Sequence, residues 1–105
     1  MTAELAANSG AQGSGDELKR TATICNRRGL HARAAAKFVK LAATFDAQVE
    51  VSHRGTEVSG LSIMGLMMLA AAPGCCIEMK AGGVQAEAAL DALCGLVANK
   101  FEEED

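Results

Sequence analysis

The sequence predicts an α+β fold: an open-faced β-sandwich in which a four-stranded antiparallel sheet is covered on one face by three helices, in the order β-α-β-β-α-β-α. Two observations support this fold. Short segments that alternate apolar and polar residues interchange with segments whose apolar residues recur every three or four positions. Each predicted strand therefore has one apolar face and each long helix one apolar stripe, and a single core between the two layers buries both. We expect the other face of the sheet to be exposed to solvent.

The first strand and the first helix are predicted on either side of a polar loop. TATIC, residues 21–25, alternates in hydropathy and ends at the polar cluster 26–29. Apolar residues then recur at helical spacing over about 32–45, while arginine, lysine and threonine occupy the opposite face. This pattern predicts an amphipathic helix that begins just after the loop.

A hairpin and a short second helix are predicted next. QVEVSH, residues 48–53, and TEVSG, residues 56–60, flank a tight turn in which Gly55 supplies the positive φ. The segment SIMGLMMLAA opens at Ser62, a residue type that commonly caps helices, and stops before Pro73. A short helix that is apolar almost all round therefore follows the hairpin.

The last strand and helix complete the predicted order. CCIEMKA, residues 75–81, alternates in hydropathy, and helical spacing over residues 86–101 predicts the third helix. The composition of residues 1–19, rich in Ala, Ser, Gly and Asn, predicts a disordered extension. The acidic residues 102–105 place negative charge at a helix C-terminus, which the helix dipole disfavours, so we expect a solvated, frayed tail.

Composition excludes several classes of protein. A net charge of −3 and only three aromatic residues, all Phe, argue against a nucleic-acid binder. No apolar run reaches the roughly 18 residues of a membrane span, and the N-terminus lacks a signal-peptide pattern. We therefore expect a cytoplasmic protein without membrane insertion. The four cysteines lack zinc-ligand spacing, so we expect reduced thiols, with Cys76 the more exposed of the Cys75–Cys76 pair, and no metal.

The loop before the first helix is the strongest candidate for a reactive site. If this helix begins just after His31, the unpaired backbone N–H groups of Ala32 and Arg33 point out of its N-terminus, where anions bind well. Arg27, Arg28 and Arg33 together could place up to three guanidinium groups around a phosphate. The positive field there also favours the neutral, nucleophilic form of an imidazole.

Local chemistry alone leaves other interpretations of these residues open. A polar residue at a helix start often merely caps the helix, and that reading of His31 is the simpler one. Ser62 has the same plain reading as a cap. Arg27 and Arg28 could instead serve an RNA-binding surface, which charge and aromatic content disfavour. His53, at the end of the hairpin, is most simply a solvated turn residue, and no function is assigned to it.

Two separated motifs in this order of elements resemble a known family. GLHAR, residues 29–33, follows the first strand, and VSGLSIMGLMML, residues 58–69, spans the start of the second helix. Both motifs resemble those of HPr, the histidine-containing phosphocarrier protein of the bacterial phosphoenolpyruvate phosphotransferase system. The resemblance covers residues 20–101 as one phosphocarrier domain, and it leaves out only the N-terminal extension and the acidic end.

The resemblance implies specific roles for the motif residues. His31 matches the histidine that accepts a phosphoryl group on Nδ1 from phosphorylated Enzyme I and passes it to an EIIA-type acceptor domain. Arg33 matches the arginine that assists the transfer. Ser62 matches the serine that HPr kinase/phosphorylase modifies in many bacteria. The protein would be a monomeric carrier without a cofactor, and not an enzyme that turns over a small substrate.

The second helix is also expected to bind partners. It has more apolar side chains than one core-facing stripe needs, and flexible methionines suit a surface that docks several proteins in turn. The resemblance places this docking surface beside the histidine, formed by Arg28, Met64, Met67 and Met68. A helix buried on all sides is the alternative reading of the same residues.

One motif residue departs from the family pattern and bears on the branch of the family. Many members have proline after the arginine, whereas this sequence has Ala34, which preserves the helix because alanine is an excellent helix former. Sites with alanine resemble the nitrogen-related regulatory carriers of proteobacteria more than the sugar-transport carriers. A regulatory binding module is the alternative function, in which phosphorylation would control an effector enzyme without onward phosphotransfer.

Overall fold

A computed structural model describes residues 17–103 and confirms the predicted α+β fold. Within these residues, four strands form one sheet in the order β1-β4-β2-β3, and every neighbouring pair is antiparallel. The elements in chain order are β1 (Leu18–Thr23), α1 (Ala32–Ala42), β2 (Gln48–His53), β3 (Thr56–Ser59), α2 (Ile63–Met68), β4 (Cys76–Gly82) and α3 (Ala86–Ala98), followed by a 3₁₀ turn at Lys100–Glu102.

The core lies between the helices and one face of the sheet, as the alternation predicts. Ile77, Met79 and Ala81 of the central strand β4 are buried, and α3 packs over β1 and β4. Helix α1 packs against both α2 and α3, and Phe38 on α1 is fully buried. The opposite face of the sheet is polar, with an ion pair of 2.8 Å between Lys80 Nζ and a carboxylate oxygen of Glu57.

The first strand begins and ends earlier than its alternation predicts. Leu18 already pairs with Ala81, because β4 extends far enough to supply a partner for the residues before Thr21. Ile24 lies beyond the strand but remains fully buried, and its N–H donates to the Cys75 carbonyl at 2.8 Å. Strand β1 therefore includes two residues of the predicted 1–19 extension, Leu18 and Lys19, and residues 1–16 lie outside the described part of the chain.

Both long helices are shorter than predicted. Helix α1 ends at Ala42 and not at Phe45, because the Thr44 backbone N–H and hydroxyl both donate to the Leu41 carbonyl and turn the chain. Phe45 still packs against the core from the loop. Helix α3 ends at Ala98, and Phe101 reaches the core through the 3₁₀ turn.

The prediction for His53 is wrong. Its Nδ1 lies 2.9 Å from the carbonyl oxygen of Leu69, so the half-buried imidazole ties the β2–β3 hairpin to the end of α2. The two residues are 16 positions apart in the sequence, and no local sequence pattern predicts the contact between them.

The cysteines form no disulfides among themselves, and all four lie within residues 17–103. Cys76 is exposed and Cys75 is half-buried, as predicted. Among the described residues, no helix combines the length and apolarity that a bilayer crossing requires.

Candidate functional site

His31 is the N-cap of helix α1. Its backbone is extended, with φ −80° and ψ −178°, and its Nδ1 accepts a hydrogen bond from the backbone N–H of Arg33 at 3.3 Å. The His31 carbonyl accepts from the N–H of Ala35 at 2.8 Å, which closes the first turn of the helix. The Nδ1 lone pair therefore points at the N-terminus of α1, where backbone N–H groups concentrate partial positive charge.

The loop before His31 is fixed by a glycine and a buried asparagine. Gly29 has φ +67°, and it lies so close to a neighbouring segment that a Cβ there would be 2.6 Å from the Ala71 carbonyl oxygen. The adjacent Leu30 N–H donates to that same oxygen at 2.9 Å. Asn26 is fully buried, and its Nδ2 donates to the Gly29 carbonyl at 2.8 Å. These contacts hold the histidine against the segment that follows α2.

The acidic C-terminal segment does not fray into solvent at Glu103, contrary to the prediction. One carboxylate oxygen of Glu103 is paired with His31 Nε2, and the other accepts from Asn26 Nδ2 at 3.1 Å. The side chains of Glu103 and His31 are only 16% and 22% exposed. The hydrogen bond from His31 lowers the pKa of Glu103, and the Asn26 amide and the positive charge of Arg28 act in the same direction.

The contacts among Asn26, His31, Arg33 and Glu103 determine which atoms donate hydrogen bonds and which accept them. Both partners of the Asn26 amide are acceptors, so its NH₂ group must face them, and its Oδ1 is left buried without a protein partner. The ionised Glu103 carboxylate can only accept, so His31 Nε2 carries the proton and donates. The Arg33 N–H can only donate, so Nδ1 of the neutral imidazole is the acceptor. The arrangement thus exposes one nucleophilic nitrogen to the helix N-terminus.

The structure brings most of the predicted anion-binding groups to one place. Ala32 and Arg33 form the exposed first turn of α1, directly after the histidine. Arg28 lies close enough to lower the pKa of Glu103. Ser62 lies apart from this cluster, at the N-terminus of α2, where its Oγ accepts from the Gly65 N–H at 2.9 Å.

Helix α2 presents a large apolar surface next to α1. Met64 and Met68 are 69% and 74% exposed and Met67 is 39% exposed, whereas Leu66 is the buried residue of this helix. Leu61 and Ile63 extend the surface. The alternative reading of a helix buried on all sides is therefore wrong. We call this surface, formed by residues 61, 63, 64, 67 and 68, the α2 apolar patch.

Two site residues, Asn26 and Glu103, are missed by analysis of the sequence. Asn26 falls in a polar cluster that predicts only a loop, and the acidic run predicts only a solvated tail. The one available signal is charge, since an acidic end and an arginine-rich loop are expected to attract each other. Within residues 17–103, no three His, Cys, Asp or Glu side chains cluster as metal ligands would.

Comparison with known proteins places this geometry in a family. The sequence model of the family described as "PTS HPr component phosphorylation site" matches residues 18–99. Phosphocarrier protein HPr of Cupriavidus necator is 48% identical over 86 residues, which cover 82% of this chain and 97% of that protein. Phosphocarrier protein NPr of Shewanella violacea is 46% identical over 87 residues, which cover 83% of this chain and 96% of that protein.

Solved structures agree with the sequence comparison. HPr-C-His from Thermoanaerobacter tengcongensis superposes with a TM-score of 0.79 at 40% identity, over 84% of this chain and 99% of that chain. HPr from Bacillus anthracis superposes with a TM-score of 0.76 at 36% identity, over 79% of this chain and 99% of that chain. From its sequence and its fold, the chain belongs to the HPr family of phosphocarrier proteins.

Proposed function

We propose that this protein accepts a phosphoryl group on His31 from phosphorylated Enzyme I and passes it to an EIIA-type acceptor domain. The observation that supports this role most directly is the orientation of the imidazole, whose Nδ1 lone pair faces the N-terminus of α1. In the transfer, Nδ1 attacks the phosphorus on the donor histidine, and the donor N–P bond breaks as the new one forms. No proton needs to leave Nδ1, because this nitrogen carries none.

The first turn of α1 is suited to hold the transferred group. The backbone N–H groups of Ala32 and Arg33 lie at the helix N-terminus, where they can donate to phosphoryl oxygens, and the dipole of the helix favours the negative charge. The Arg33 guanidinium can bind two of these oxygens at once, which a lysine cannot do with the same geometry. We assign Arg33 the role of stabilising the phosphoryl group during transfer.

The phosphorylation site is tested with labelled phosphoenolpyruvate and Enzyme I. Wild-type protein should acquire an acid-labile, base-stable label, and His31→Ala should acquire none. His53→Ala is the matched control, because His53 is the other histidine of the chain. This variant should still acquire the label, although more slowly if loss of the bond to Leu69 loosens α2. Absence of label on wild-type protein, or equal labelling of His31→Ala, contradicts the proposal. Transfer of the label to an EIIA-type domain separates a carrier from a purely regulatory module.

The α2 apolar patch, together with Arg28, is proposed as the docking surface for these partners. It lies on a helix that packs against α1, so a partner bound there is close to His31. Exposed methionines of this kind fit different partner surfaces in turn. Met68→Glu should weaken binding of Enzyme I, whereas Val84→Glu, at a residue that is 88% exposed outside the patch, should not. Equal affinities of the two variants contradict this assignment.

Ser62 is proposed as a regulatory phosphorylation site at the edge of the same patch. Its hydroxyl is half-buried and caps α2, and a phosphate on this oxygen would add negative charge beside the apolar patch. Incubation with HPr kinase/phosphorylase and ATP should label wild-type protein and Ser59→Ala but not Ser62→Ala. Labelling of Ser62→Ala contradicts the assignment.

A further inference from the structure

We propose that Glu103 is a positioning residue for phosphotransfer, and that its carboxylate holds His31 in the tautomer with the proton on Nε2 and the lone pair on Nδ1. The effect of Glu103 on phosphotransfer rests on the proposed function, because it requires that His31 accept a phosphoryl group. The tautomer itself is a property of the isolated protein and can be measured without any partner.

Two independent contacts select the same tautomer. The Glu103 carboxylate requires a donor at Nε2, and the Arg33 backbone N–H requires an acceptor at Nδ1. The carboxylate is itself held on its second oxygen by the amide of Asn26, a residue that is fully buried. The imidazole is thus fixed from both sides, as in other sites where a carboxylate orients a reactive histidine.

The backbone before Glu103 is built to place this carboxylate. Lys100, Phe101 and Glu102 have φ values of 57°, 53° and 66°, a left-handed conformation that costs free energy at residues other than glycine. The turn persists because Phe101 is fully buried and its carbonyl accepts a hydrogen bond from Lys37 Nζ at 2.8 Å. A helix continued from α3 would not bring the chain back to His31 in this way.

The carboxylate also matches the charge that develops on the ring. When the Nδ1 lone pair forms a bond to phosphorus, Nε2 keeps its proton and the imidazole ring becomes positively charged. A carboxylate already hydrogen-bonded to Nε2 stabilises this charge and requires no rearrangement. When the N–P bond breaks in the onward transfer, the electron pair returns to Nδ1 and the original tautomer is restored.

An autoinhibitory role is the competing outcome for the same contact. The Glu103 carboxylate carries the same sign of charge as a phosphoryl group, so it could slow the transfer by repulsion. It contacts Nε2, however, while the group is expected on Nδ1, across the ring. The positive charge of Arg28, which lowers the pKa of Glu103, further offsets the charge of the carboxylate. The geometry therefore favours positioning.

The first test measures the tautomer directly by ¹⁵N NMR of the imidazole in the absence of partners. Wild-type His31, in its neutral form, should show a protonated Nε2 and an unprotonated Nδ1. Glu103→Gln should shift the population toward the other tautomer, because the new side chain keeps one oxygen for the Asn26 amide and turns its NH₂ group, a donor, toward His31 Nε2. Glu102→Gln is the matched control: it removes the same charge from a neighbouring side chain that is 65% exposed and pairs with Lys37 at 3.7 Å. The shorter bond from Lys37 to the Phe101 carbonyl, at 2.8 Å, does not involve the Glu102 side chain. An unchanged tautomer in Glu103→Gln overturns the proposal.

The second test measures the rate at which Enzyme I phosphorylates each variant. Glu103→Gln should be phosphorylated about tenfold more slowly, the order of effect expected when a partner that orients a functional histidine is lost. Glu102→Gln should retain the wild-type rate. A faster rate for Glu103→Gln would show autoinhibition and overturn positioning. Failure of the proposed function is distinguishable, because wild-type His31 itself would then acquire no label.

Discussion

At the scale of single residues, the site depends on how closely the loop before His31 approaches its neighbours. Gly29 brings the loop backbone within reach of the Ala71 carbonyl, and the buried Asn26 amide ties the loop both to itself and to Glu103. Because each of these contacts leaves little space, small changes in side-chain volume here should have larger effects than the same changes elsewhere on the surface.

Gly29→Ala should destabilise the fold more than alanine at another glycine with positive φ. A Cβ at this position would lie 2.6 Å from the Ala71 oxygen, and the φ of +67° adds backbone strain. We expect a loss of about 2 to 4 kcal/mol in the free energy of unfolding, measured by urea denaturation.

Gly74→Ala is the matched control for this prediction. Gly74 also has positive φ, at +91°, but no atom lies within 4 Å of a Cβ built there, so only the backbone strain of about 1 kcal/mol remains. Gly82→Ala, which has open space and no positive φ, should leave the midpoint almost unchanged. Equal denaturation midpoints for Gly29→Ala and Gly74→Ala contradict the predicted clash.

At the scale of elements, α2 is the least self-sufficient part of the fold. It spans only Ile63–Met68, a length at which a helix does not persist alone in water. Its position is fixed by the buried Leu66, by the Ser62 cap at its start and by the hydrogen bond between His53 and Leu69 at its end. The α2 apolar patch is therefore presented by a segment that depends on a few local contacts.

Ser62→Ala should loosen α2 because it removes the only side-chain oxygen that caps the helix. The Gly65 N–H loses its acceptor, and such a loss costs about 1 kcal/mol. Hydrogen exchange of the α2 amides should quicken accordingly. Ser62→Thr keeps a hydroxyl oxygen on the Cβ atom, so most of the protection of these amides against exchange should be retained. Unchanged exchange in Ser62→Ala would show that tertiary packing alone holds the helix.

At the scale of the whole molecule, the sequence predicts the features that depend on neighbouring residues. It misses the contacts between residues that lie far apart along the chain. Hydropathy periodicity is local, and it predicts each strand and helix and the N-cap position of His31. The pairing of His31 with Glu103 spans 72 residues, and it depends on a left-handed turn that no periodicity encodes. The bond between His53 and the end of α2 is missed for the same reason. The ends of an element differ from the prediction where pairing with a distant strand overrides the local hydropathy pattern. Strand β1, for example, begins at Leu18 because this residue pairs with Ala81 of β4.

The Glu103 contact ties the C-terminal turn to the loop before α1 through an ionised carboxylate, so it should also make stability depend on pH. His31, Asn26 and Arg28 lower the pKa of Glu103 in the folded protein below its ordinary value of about 4.5. The folded state therefore binds a proton at this carboxylate less readily than the unfolded state does. The resulting stabilisation is complete above the unfolded pKa and is lost as the pH falls through the folded pKa.

Comparison of wild type with Glu103→Gln by urea denaturation at several pH values checks this linkage. The wild type should be more stable by about 1 kcal/mol at pH values well above 4.5, the order expected for a partly exposed charge-assisted pair. The gap should close as the pH falls below that value, because the protonated carboxyl then resembles the amide. Glu102→Gln controls for the loss of one negative charge. A gap that persists undiminished in acid would mean that the carboxylate charge contributes nothing, and that shape alone holds the C-terminal turn on His31.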